Sequence, residues 1–151
     1  PGGRLREGGS TLRGPRGGRV RQWRGIDRAA FYGARQVARL PVGFCYPGTG
    51  KSGDLPPRPE CAVHWRRQLL AFVPDIEVTL VIGQYAQAWH LGDRQKDSLT
   101  QTVRNWKDYW PRFLPLPHPS PRNNIWLKKN PWFEDDILPV LKQRIGLLLQ
   151  E

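Results

Sequence analysis

The chain has 151 residues, 24 Lys and Arg against 13 Asp and Glu, a net charge of +11 and a pI near 10.5. That length suffices for one domain with a proper core, expected to span 1–151. No apolar run approaches the ~18 residues of a transmembrane helix, and two cysteines exclude a disulfide scaffold, so a cytoplasmic monomer with no membrane partner is expected.

Residues 1–22 are rich in Gly and Arg and lack apolar periodicity, so a loop or disordered segment is expected there. The chain has no Met and opens at Pro1, so it is expected to be N-terminally incomplete. Residues 22–32 predict a short helix, with Asp27 near a helix start and Trp23, Ile26 and Phe31 turned inward. Residues 37–44 predict a strand, and residues 45–59, filled with Gly, Pro, Lys and Ser, an irregular loop. Residues 60–72 predict a helix with Trp65, Leu69 and Phe72 on its inner face, ended by Pro74. Val78 to Ile82 is the clearest strand, an apolar β-branched run closed by Gly83 and expected to be buried on both faces. Gln84 to Leu91 predicts a helix broken at Gly92. Ser98 to Tyr109 predicts another, capped by Ser98, with Leu99, Val103 and Trp106 inward. Phe113 to Pro117 is the last strand. Pro131 to Leu149 predicts the C-terminal helix, with Asn130 as cap and a kink at Pro139. Strands alternating with helices predict an α/β fold, a three-layer α/β/α sandwich around a mainly parallel sheet. Ligands of such sheets sit at the carboxyl ends of the strands.

Ten Arg lie in residues 1–40 against only Glu7 and Asp27, and the chain carries seven Trp and four Tyr. Basic surface with flat side chains suits nucleic acid, through phosphate contacts and base stacking; a solvated basic surface or a ribosome-like tail is the plainer reading. Gly48-Thr49-Gly50-Lys51-Ser52 has the ending of a phosphate-binding P-loop. The first glycine of that pattern falls on Cys45, and prolines stand where a helix should begin, so nucleotide triphosphate binding is rejected. Lys51 and Ser52 then read as a phosphate-touching loop or as an ordinary flexible one. His64 and His90 fall in predicted helices and read as structural. Trp65, Trp106 and Trp132 read as packing, and Trp126 as a weaker stacking candidate.

His118-Pro119-Ser120-Pro121-Arg122-Asn123 is the strongest candidate site. Prolines fix its backbone, and a ring, a hydroxyl, a guanidinium and an amide face an anionic or hydrogen-bonding ligand. A surface turn is the alternative. This segment resembles the second active-site motif of the uracil-DNA glycosylase superfamily, in the form of its single-strand-selective and iron-sulfur branches. Gly43 to Gly48, Pro56 to Cys61, Leu80 to Gln87 and Leu127 to Phe133 resemble, in the same order, a bacterial uracil-DNA glycosylase-like branch related to the iron-sulfur enzymes.

The resemblance implies a DNA repair glycosylase that hydrolyses the N-glycosidic bond of uracil or another deaminated base. It implies His118 as the donor to the leaving base and Ser120 as a phosphate contact. Arg122 would wedge into the duplex or clamp the backbone. Lys128 and Lys129 would add nonspecific phosphate affinity. Phe44 or Tyr46 would stack on the base. Pro1-Gly2 would be the tail of the first motif, whose water-positioning residue would precede Pro1. Cys45 and Cys61 resemble two of the four thiolate ligands of a structural 4Fe-4S cluster; two free thiols are the alternative. The related branch carries acidic residues where this chain has Leu12-Arg13-Gly14-Pro15-Arg16-Gly17. A noncatalytic nucleic-acid-binding module of the same fold is therefore the second reading, and a basic protein-interaction domain the third.

Overall fold

The structure, a computed structural model, describes residues 15–32, 36–43, 47–73 and 75–150, with the backbone alone for Pro15, Arg16, Gly17 and Tyr32. In chain order its elements are α1 (Pro15–Arg24), α2 (Arg28–Tyr32), β1 (Thr49–Gly50), β2 (Gly53–Asp54), α3 (Pro59–Cys61), α4 (Arg67–Ala71), β3 (Thr79–Ile82), α5 (Gln84–Leu91), α6 (Leu99–Arg104), β4 (Phe113–Leu116), α7 (Asn124–Lys129) and α8 (Leu138–Leu148). A π-helical turn, Ala62–Arg66, joins α3 to α4, and another, Phe133–Ile137, leads into α8. The chain is thus a mixed α/β protein. Its described residues fall into two compact units, residues 39–116 and the described parts of 12–38 with 117–151.

In the first unit β3 and β4 pair in parallel, from Thr79 opposite Phe113 to Ile82 opposite Leu116. The carbonyls of Arg112 and Leu116 accept from the amides of Thr79 and Gly83 at 2.8 and 2.9 Å. Even-numbered residues of β4 therefore bond toward β3. Pro115 belongs to the odd set that faces away, where its missing N–H costs no bond to β3. Val81 is buried with Leu91 and Tyr109, and Ala86 and Phe113 pack against them. The other residues of β3 are half-buried, fewer than expected of a strand covered on both faces. The Ser98 cap is as expected, its Oγ accepting from Gln101 N at 3.1 Å.

Three expectations change here. Residues 37–43 form no strand, because the Leu40 and Pro41 carbonyls accept from the Arg66 guanidinium rather than from a ladder partner. Within the expected irregular loop, β1 and β2 pair antiparallel, and Gly48 and Gly53 take the positive φ values (103° and 127°) that this tight return requires. Trp65 and Phe72 do not face a core: they are 56% and 83% exposed. The π-helical turn adds a residue per hydrogen-bonded ring and rotates the face that a regular 3.6-residue period would turn inward. Among the described residues the sheets have two strands each, so no larger parallel sheet is seen.

In the second unit, α1 covers residues 15–24 although a loop was expected as far as residue 22, and the helix expected over residues 22–32 is broken at residues 25–27, between α1 and α2. Pro15 opens α1, and Gly25 closes it with φ 67°, its amide bonded to Arg21 O at 2.9 Å. A helix this short needs tertiary support. Val20 and Trp23 supply it, both buried, with Trp23 edge-on to Phe133 at 5.0 Å between centroids. Asp27, expected only to lie near a helix start, caps α2, its Oδ1 accepting from Ala30 N at 2.7 Å. Phe133, Ile137, Leu138 and Leu141 complete this core. Pro139 sits in the first turn of α8, directly after the π-helical turn. A proline ring clashes with the carbonyl four residues back, and the wider π-helical turn accommodates it. Asn130 does not cap the C-terminal helix with its side chain: its Oδ1 accepts from Trp132 Nε1 at 3.1 Å, and its Nδ2 donates to Trp126 O of α7 at 2.8 Å.

Leu116 is fully buried and Phe72 is not. Leu116→Ala is expected to destabilise the protein by ~2–5 kcal/mol. Phe72→Ser is expected to stay within ~0.5 kcal/mol. Urea denaturation of the two variants checks both values.

Candidate nucleic-acid site around His118

Three of the five residues 117–121 are proline, so the segment has few amides with which to hold itself. Its order comes from side chains. Asn123 Nδ2 donates to His118 O at 2.7 Å. Ser120 Oγ accepts from Arg122 N at 3.3 Å and caps the 3₁₀ turn Pro121–Asn123. Ser120 O accepts from Asn123 N at 2.9 Å and from Arg19 Nη1 at 3.2 Å. Pro117, Pro119 and Ser120 are buried, whereas His118 and Arg122 are exposed. The loop thus buries its frame and presents a ring and a guanidinium. Ser120, 8% exposed, uses its Oγ as an acceptor within the loop, which leaves the O–H as its donor.

The chain reaches this loop two residues after β4, and the end of β4 is pinned. Leu116 O accepts from Gly83 N at 2.9 Å and from Gln87 Nε2 at 3.0 Å. Gln87 is fully buried and bonds Val81 O as well, at 3.4 Å, so one amide ties the two strand ends together. Gln84, at the start of the same helix, is exposed, and the role of Gln87 was not expected from the sequence. A lone polar residue amid Ala86, Ala88 and Leu91 was the available signal.

Lys128 lies exposed in the last turn of α7. Trp126 is half-buried, with Trp132 and Phe133 both 5.8 Å away, so it packs and does not present a stacking face. In the first unit, Lys51 and Ser52 are the exposed two-residue tip of the β1–β2 hairpin. A hairpin has no helix N-terminus to cradle phosphates, so the rejection of a P-loop agrees with the structure.

A family model described as the uracil DNA glycosylase superfamily matches residues 6–142. The chain belongs to that superfamily. The match begins before α1 and ends within α8, and it includes the whole His118 loop. Pro1, Gly2, Phe44, Cys45 and Tyr46 lie outside the described residues, so the structure places none of these five site candidates.

Cys61 ends α3, half-buried and not in a disulfide. A 4Fe-4S cluster takes four thiolates, and this chain has two cysteines, so Cys45 and Cys61 supply at most half of a ligand set. Among the described residues no group of three or more His, Cys, Asp or Glu side chains gathers around a point that could hold a metal ion. No helix among them is long and apolar enough to cross a membrane.

His90 has a partner that its helical setting did not advertise. Arg66, only 5% exposed, donates from Nη2 to His90 Nε2 at 2.7 Å and lies over Trp89 at 5.1 Å. Burial, reinforced by that guanidinium, pulls the His90 ring from the usual 6.5 down to about 4. The neutral ring is the acceptor Arg66 needs. A ring held neutral on folding contributes stability above pH ~6.5, which is lost as pH falls toward 4. Relative to His90→Gln, which keeps an acceptor and does not titrate, the wild-type melting temperature is expected to fall more steeply between pH 6.5 and 4. Equal slopes would show that the pair does not hold His90 neutral.

Proposed function

We propose that this protein is a DNA repair glycosylase that hydrolyses the N-glycosidic bond of uracil, or of another deaminated base, in DNA. The observation that carries the reading is the His118 loop: a side-chain-braced, proline-fixed segment that presents one histidine ring, within a chain of this superfamily. In the reaction the bond from C1′ to the base nitrogen breaks and its electron pair leaves with the base. Water adds to C1′, and its proton ends on the departing base or in solvent. The developing anion on the pyrimidine oxygen is the main electrostatic problem. A fixed donor in a dry pocket addresses it. His118 supplies that donor from its ring. Ser120 O–H binds a phosphate beside the lesion. Arg122, exposed at the turn, fills the space left by the extruded nucleotide or clamps its backbone, offsetting the few kcal/mol of extrusion. Lys128, Lys51 and Ser52 add sequence-independent phosphate contacts. Phe44 or Tyr46 stacks on the base, and Pro1-Gly2 belongs to the first motif. A cluster bound through Cys45 and Cys61 would be structural and enters no step of the hydrolysis. The enzyme acts as a monomer.

The Leu12 to Gly17 segment departs from the acidic pattern of the related branch. That departure favours a second reading, a nucleic-acid-binding module that keeps the fold without the chemistry.

A uracil-containing oligonucleotide, treated with alkali after incubation with the full-length protein, reports abasic sites. Excision is expected, with a ~10²- to 10³-fold lower rate for His118→Ala. Binding without abasic product on uracil or on other deaminated bases would instead establish the noncatalytic module. Lys128→Gln is expected to weaken binding uniformly across sequences and to lower the salt slope by about 1, read from binding isotherms at several salt concentrations.

A further inference from the structure

We propose that Arg19 is a positioning residue for excision: its guanidinium, anchored on α1, holds the His118 loop in the geometry that the chemistry uses. The inference rests on the role given to His118 above.

Arg19 is 101 residues from Ser120 and 105 from Asn124, yet it bonds both, from Nη1 to Ser120 O at 3.2 Å and from Nη2 to Asn124 Oδ1 at 2.8 Å. These acceptors flank the 3₁₀ turn Pro121–Asn123, so one planar fork spans the turn from both ends. Ser120 O also accepts from Asn123 N, and the Asn123 side chain in turn holds His118 O. A continuous path of hydrogen bonds therefore runs from Arg19 through Ser120 and Asn123 to the backbone of His118. The base of the brace is rigid, because the next residue, Val20, and Trp23 are buried in the core of the same unit. Within the loop the Asn123 amide also reaches Ser120 O, but Pro117, Pro119 and Pro121 have no amide with which to add to that hold. Lysine carries the charge without the fork and can meet one of the two acceptors at a time. Arg19 is assigned no contact with base or sugar. It acts through the loop.

The test uses the full-length protein and the variants Arg19→Ala, Arg19→Lys and Asn124→Ala. Single-turnover excision of uracil from DNA is expected to slow ~10- to 100-fold in Arg19→Ala, as for a misplaced catalytic group. Affinity for uracil-free DNA should change far less. Arg19→Lys should recover part of the rate, and adding Asn124→Ala to Arg19→Ala should cost less than Asn124→Ala alone, because both remove the same contact. Amide hydrogen exchange supplies a readout independent of activity. The Asn123 amide should exchange ~10-fold faster in Arg19→Ala, with the β3 and β4 amides unchanged. Should Arg19→Ala fail to fold, Asn124→Ala alone carries both measurements. Wild-type rate and unchanged Asn123 exchange in the variants would overturn the brace. A wild-type protein that excises nothing, while Asn123 still loses protection in Arg19→Ala, would remove the glycosylase reading and leave the brace standing.

Discussion

A segment with prolines at 117, 119 and 121 cannot hold its own backbone, and most of what is notable in this molecule answers that constraint. The missing amides leave few backbone donors within the loop, and side chains supply others. Asn123 takes His118 O, Arg19 takes Ser120 O, and Ser120 Oγ caps the turn between them. Prolines limit the number of backbone states, and the side-chain bonds select among those that remain. The result is an exposed histidine whose backbone is fixed at low entropic cost, which suits a donor that must be in place before charge develops.

The same logic recurs at the end of β4. A strand of four residues with a proline in it has little ladder to depend on. Leu116 O compensates by taking two donors, one from the backbone of Gly83 and one from the buried amide of Gln87. Arg66 does comparable work at the other carbonyl-rich stretch, binding Leu40 O and Pro41 O at 3.0 and 2.7 Å and leaning on a neutral His90. In each case a long polar side chain replaces ladder bonds that the local sequence cannot make.

What was legible in the sequence follows from which signals are local. The β3 run closed by Gly83, the helix after it, the Ser98 and Asp27 caps and the strand before His118 all rest on residues within a few positions of one another, and the structure has them. The His118 motif was legible as a motif, and the family match covers it. Helix α1 was not, because Gly17 and Gly18 and the arginine run conceal a helix stabilised by the distant Phe133. The inward face assigned to Trp65 and Phe72 assumed a 3.6-residue period that the π-helical turn breaks. The Arg19 and Arg66 contacts had no local signal at all: their hydrogen-bond partners lie 24 to 105 residues away.

The central claim is that the His118 ring meets the departing base. A crystal structure of the full-length protein on DNA carrying a non-hydrolysable deoxyuridine analogue tests it most directly. The account predicts a His118 ring nitrogen about 2.7–3.1 Å from the pyrimidine oxygen. A base seated in a pocket with His118 turned to solvent, and another donor at that oxygen, would contradict it.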